Sequence, residues 1–115
     1  MMKIHYLEIV TDEVDKVCQS YSNTLNISFS DEIPELGMAK TSELPDGSLL
    51  GIRKPMHEAE EATTRPYYLV KDIDLAVINA EESGAIIAVP PMEISERGKC
   101  AIIMFGSIQS GFWQL

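Results

Sequence analysis

The feature that most constrains this chain is a repeat. His5-Tyr6-Leu7-Glu8-Ile9-Val10 runs into Thr11-Asp12, and about sixty residues later Arg65-Pro66-Tyr67-Tyr68-Leu69-Val70 runs into Lys71-Asp72. Each stretch is a short apolar strand ending in an aspartate that can cap a helix. The helices that should follow match as well. Val14, Val17, Cys18 and Tyr21 hold the i, i+3, i+4, i+7 positions of the first, and Ile73, Ala76, Val77 and Ala80 hold them in the second. Each set forms one apolar stripe. The stripes are spaced one residue closer than the strands, so one residue is deleted at the second cap. The ends of the copies also correspond: Ser48-Leu49-Leu50-Gly51-Ile52-Arg53 closes the first and Ile108-Gln109-Ser110-Gly111-Phe112-Trp113 the second. Such a repeat implies a duplicated supersecondary unit whose copies bury a shared core.

Between these anchors the pattern predicts a strand over 3–10, a helix capped by Asp12 and running to Leu25, and a short strand over 27–30. A polar loop follows over 31–37. Residues 38–44 and 48–54 flank Pro45-Asp46-Gly47, a strong hairpin signal. Residues 55–64, with His57 and Glu58, Glu60 and Glu61, have no strand pattern and read as a linker. In the second copy the helix runs from Asp72 to Ser83 with Gly84 as its C-terminal cap. A strand over 85–89 is stopped by Pro90-Pro91, a polar loop covers 93–98, and strands over 99–105 and 109–115 finish the sheet, with Trp113 and Leu115 packed. The fold class is therefore α+β: one domain over 1–115, made of two tandem βαβββ modules, 1–60 and 61–115.

Composition narrows the function. The chain has 115 residues, 45% of them hydrophobic, enough for one domain with a sizeable core. Lys and Arg number 9 against 18 Asp and Glu, a formal charge of −9. That balance argues against nucleic acid or an anionic membrane as partner, because phosphate binding needs a basic face. Cys18 lies in a helix stripe and Cys100 in an apolar strand, where buried thiols are expected. No apolar run is long enough to span a membrane and no signal-peptide core is present, so a cytoplasmic location is the default expectation. There is no G-x-S-x-G, Cys-x-x-Cys, Walker-type glycine loop or H-E-x-x-H.

The paired modules resemble the vicinal oxygen chelate superfamily, which includes glyoxalase I, bleomycin-resistance proteins and extradiol dioxygenases. The resemblance is carried by Val10-Thr11-Asp12 and Val70-Lys71-Asp72, by Asp46-Gly47-Ser48-Leu49-Leu50-Gly51-Ile52-Arg53, by Gly84-Ala85 and Pro90-Pro91-Met92-Glu93-Ile94, and by Gly111-Phe112-Trp113-Gln114. It implies one curved mixed sheet around a cleft, and a homodimer. In metal-dependent members of that superfamily a divalent ion is held by His, Glu or Gln from the first and last strand of each module. Carried over, His5 matches the first of these positions and Gly51, Arg65 and Gly111 the other three. Two glycines and a guanidinium cannot ligate a metal, so no metal and no cofactor is expected.

Strand alternation offers a different site. With His5 facing the cleft, Leu7 and Ile9 face it too, and the same parity turns Arg53, Arg65, Tyr67, Gln109 and Trp113 inward and Glu8 toward the helices. Arginines bind carboxylate or phosphate through a planar fork, and Tyr67 and Trp113 offer flat apolar faces. The leading expectation is a metal-free small-molecule binding or sequestration protein whose cleft takes a small organic anion through His5, Arg53, Arg65, Tyr67 and Trp113. Structural roles compete for each: a strand-edge ion pair for Arg65, a solvated strand end for Arg53, packing for Trp113, a hydrogen-bonded core histidine for His5. The alternatives are a lyase or dioxygenase-like enzyme using a divalent metal, a metal-free enzyme with His5 as general base, and an interaction module with a filled cleft.

Overall fold

The computed structural model describes residues 2–115. It contains strands β1 (Ile4–Val10), β2 (Lys40–Glu43), β3 (Leu49–Arg53), β4 (Thr63–Leu69), β5 (Ile86–Ile94), β6 (Gly98–Phe105) and β7 (Ile108–Gln114), with helices α1 (Val14–Leu25) and α2 (Ile73–Glu82). The strands follow the order β2-β3-β1-β4-β7-β6-β5 in a mixed sheet, so the fold is α+β as the repeat predicts. The chain divides into two compact units: Leu7–Thr64, and Arg65–Leu115 with the residues up to Tyr6.

In the Leu7–Thr64 unit, α1 lays its predicted stripe on the sheet. Val14, Cys18 and Ile52 are buried together, with Ile9, Val17, Tyr21 and Phe29 packed around them. The β2–β3 hairpin turns at Pro45-Asp46-Gly47: the Leu44 amide donates to the Ser48 carbonyl at 2.8 Å, and Asp46 Oδ1 accepts from the Ser48 amide at 3.0 Å. Two expectations fail here. Asp12 does not cap α1; the capping position falls on Glu13, which makes no side-chain cap bond. Glu13 is the residue that the second copy lacks, and it pushes Asp12 one place too far from the helix. Residues 27–30 are not a strand either. The Ser30 amide reaches the Thr41 carbonyl at 2.8 Å, but the Thr41 amide donates to Ser30 Oγ rather than to a backbone carbonyl. A serine hydroxyl that takes over a ladder bond ends the ladder.

In the second unit, Ile73, Ala80, Ala101 and Ile103 are buried under α2, with Val70, Val77, Ala85, Ile87 and Phe112 against them. Asp72 caps α2 by accepting from the Leu75 amide at 3.0 Å. The helix ends one residue earlier than expected, at Glu82 with Ser83 as cap. Gly84 stands just beyond it, at φ +101°. The Ala85 amide donates to the Ala80 carbonyl and the Gly84 amide to the Glu81 carbonyl, the paired bonds of a Schellman motif that needs a left-handed residue there. Strand β5 is not stopped by Pro90-Pro91 but runs through them to Ile94. It lies at the sheet edge, and its pairing with β6 is interrupted between Ile87 and Val89 and between Val89 and Met92. Prolines lack an N–H and are accommodated at edges and bulges. Trp113 is buried as expected, whereas Leu115 is exposed.

Candidate functional site

A buried cluster of charged side chains lies in the Leu7–Thr64 unit and centres on Arg53, the last residue of β3, which is only 3% exposed. Arg53 Nε donates to Glu8 Oε2 at 2.8 Å. Its outer fork takes Glu60 side-on, Nη1 to Oε1 at 2.9 Å and Nη2 to Oε2 at 2.7 Å. Nη1 also donates to the Lys54 carbonyl at 3.0 Å. Burial disfavours the charge on Arg53, but the hydrogen bonds to Glu60 and Glu8, and their charges, outweigh it and raise its pKa. The guanidinium is a permanent cation with two carboxylates on it.

This arrangement corrects the strand parity read from the sequence. Glu8 does not face α1; it is buried on Arg53, and Ile9 is the residue that packs with the helix. At Glu8 and Ile9 the alternation is therefore the reverse of that expected. Glu60, placed in a linker by the sequence, is half of the site. Its Oε1 also accepts from the Met56 amide at 2.7 Å, folding the 55–60 segment onto Arg53. Gly37 lies against the same group at φ +68°. A Cβ there would stand 3.1 Å from Arg53 Cδ and 2.5 Å from Met56 Cε.

Two cavities flank the segment. One of about 700 Å³ is lined by Lys54, Pro55, Met56, Gly37, Met38 and the first turn of α1, among others. The other, about 450 Å³, is lined by Asp12, Pro55, His57, Glu58 and Glu60.

The remaining expected residues lie in the second unit. Arg65, 4% exposed, sends both Nε (3.1 Å) and Nη2 (2.5 Å) to Gln109 Oε1. The same β4–β7 pairing sets Tyr67 opposite Gly111 and Leu69 opposite Trp113. Tyr67 and Trp113 are buried edge-to-face at 5.7 Å, with Tyr6 5.7 Å from Tyr67 and 5.5 Å from Trp113. The indole Nε1 of Trp113 donates to the Arg97 carbonyl at 2.8 Å. These rings spend their faces on one another rather than on open space. The half-buried His5 ring stands 5.5 Å from Trp113. Burial, and then the charge of Lys3, lower its pKa, so its imidazole is neutral at pH 7.

The divalent metal implied by the resemblance does not fit these residues. Gly51 and Gly111 supply no donor, and a Cβ on Gly111 would collide with the Tyr67 ring. Arg65 is a cation, and the Glu8 carboxylate is bonded to another. Among the described residues no three of His, Cys, Asp and Glu stand together as a metal site.

The fold itself has close counterparts. The chain superposes on a hypothetical protein from Bacillus halodurans C-125 with a TM-score of 0.78 at 14% identity, covering 99% of this chain and 94% of that one. Methylmalonyl-CoA epimerase in complex with methylmalonyl-CoA and NH4+ gives 0.75 at 14% identity over 99% and 94%. A Streptomyces coelicolor methylmalonyl-CoA epimerase variant in complex with 2-nitronate-propionyl-CoA gives 0.73 at 14% over 97% and 96%. The chain has the vicinal oxygen chelate fold. No protein-family model and no curated protein sequence matches it. Within this fold, Arg53, Glu8 and Glu60 are a cluster that the motif comparison of the sequence does not reveal. Glu8 had a usable signal as the one charge inside an apolar strand; Glu60 had none.

Proposed function

We propose that this chain is a metal-free binding protein for a small organic anion. The observation that carries the reading is the Arg53 fork, which is buried, permanently charged and already gripping a carboxylate side-on. That is the geometry by which a guanidinium recognises a ligand carboxylate. Solved examples of the same fold hold coenzyme A derivatives, so small carboxylates and acyl thioesters are the first classes to test. Arg65, oriented by Gln109, is the second guanidinium of the reading. Tyr67, Trp113 and His5, with Tyr67 and His5 each standing against the Trp113 ring, are the other ligand-binding residues of the reading. The homodimer implied by the resemblance belongs to the same reading, and light scattering on the eluting protein decides it.

The test is calorimetric titration of chelator-treated protein with a panel of small carboxylates and acyl thioesters. Saturable binding without added metal, weakened in Arg53→Lys or Arg65→Lys, is the expected result. No saturable binding, or affinity unchanged in both variants, refutes it. An enzymatic reading is favoured by one observation, the neutral, half-buried His5, which can accept a proton at pH 7. A bell-shaped rate profile lost in His5→Ala would establish it.

A further inference from the structure

We propose that Glu60 is an internal stand-in for a ligand carboxylate, and that residues 55–60 form a latch that a small carboxylate displaces from Arg53. The inference rests on the anion-binding reading above and names its site. The two sides of the guanidinium are held differently. Nε is fixed by Glu8, which sits on β1. The outer fork is held by Glu60, which lies in the connection between β3 and β4 where there is neither helix nor strand. The strand-borne contact therefore aims the fork, and the loop-borne contact fills it.

The loop depends on the same carboxylate. Glu60 Oε1 accepts from the Met56 amide as well as from Arg53, so withdrawing Glu60 frees Met56 together with it. Pro55 lines both flanking cavities and Met56 lines the larger one, so lifting the segment opens space directly onto the fork. Gly37 leaves the room in which Met56 now sits; a side chain there would wedge between the guanidinium stem and the latch. Exchange of one carboxylate for another leaves the charge at Arg53 unchanged, which removes the main cost of breaking a buried ion pair. Val14, Met38, Pro55 and Met56 offer the ligand an apolar surface. The same cavity carries Asp12, Glu13, Asp15 and Glu32 against Lys16, Lys40 and Lys54, with Lys16 paired to Glu13 and Lys40 to Asp15, so it disfavours any ligand with more than one negative charge. The class that fits is a small monocarboxylate with a short apolar body.

A tethered competitor acts at high effective concentration. Wild-type protein should therefore bind such a ligand weakly, and removing the competitor should strengthen binding. Acetate, propionate and benzoate are titrated calorimetrically into wild type, Glu60→Ala, Glu60→Gln and the double variant Glu60→Ala with Arg53→Lys, with chloride at matched ionic strength as control. Glu60→Ala should bind at least about tenfold tighter than wild type, Glu60→Gln should show a smaller gain in the same direction, and the double variant should lose the gain. Should Glu60→Ala fail to fold, Glu60→Gln and the wild type carry the test. In wild type, saturating propionate should speed hydrogen exchange at the Met56 amide, because its acceptor leaves. Equal affinities across the variants, a gain that survives Arg53→Lys, or Met56 exchange unmoved at saturation would overturn the latch. Carboxylate binding that ignores Glu60 and Arg53 defeats the latch alone; absence of binding in every protein defeats the anion-binding reading with it.

Discussion

Replacing Arg53 by methionine should cost this protein much of its stability. The side chain is 4% exposed and makes four hydrogen bonds, three of them to carboxylates. Methionine fills a similar length of stem but leaves Glu8 and Glu60 facing each other without a cation. Removing one partner of a buried ion pair destabilises by about 3–5 kcal/mol. Urea unfolding of both proteins at pH 7, followed by far-ultraviolet circular dichroism, measures it. A deficit below about 1 kcal/mol, the range of an exposed pair, would refute the argument that Arg53 is a buried, doubly paired cation.

Other consequences are smaller. Asp72→Ala should cost about 1 kcal/mol as a lost N-cap, while Asp12→Ala should cost close to nothing; equal losses by thermal denaturation would mean that the two copies start their helices alike. Gly111→Ala should destabilise by about 1–3 kcal/mol because its Cβ meets the Tyr67 ring, and an unchanged melting temperature would show the ring to be elsewhere. His5 has a lowered folded pKa, so the unfolded chain binds its proton first. Its contribution is complete above the unfolded value near 6.5 and is lost as pH falls through the folded one. Urea midpoints of wild type should fall between pH 7 and 5 more steeply than those of His5→Phe, and parallel curves would contradict this.

Much of the fold was legible because it was written twice. The strand–helix pairs, the Pro45-Asp46-Gly47 hairpin, the Asp72 cap and the apolar stripes all follow from local pattern. What misled the reading was competition at single residues. Glu13 displaced the first cap, Ser30 Oγ replaced a ladder carbonyl, and edge position let β5 run through two prolines. The site was less legible. Arg53 stands out in the sequence as the cation that ends a strand of the repeat, but spacing gives neither its burial nor its partners. Glu8 needed the phase of β1, which Ile9 sets by packing on α1. Glu60 reaches Arg53 only through the fold of a segment with no periodicity. Trp113 and Tyr67 read as platforms because aromatic residues on one face look alike whether covered or open; the structure adds that the two rings also pack edge-to-face on each other.

The most direct test of the account is a calorimetric titration with the small-carboxylate panel on one preparation, before and after chelation, with its divalent metal content measured alongside. Metal far below one ion per chain and carboxylate binding that chelation leaves unchanged are the expected results. Near one ion per chain, restored by a specific metal, with binding lost on chelation, would contradict the account and make this protein a metal site that Arg53 does not pre-empt.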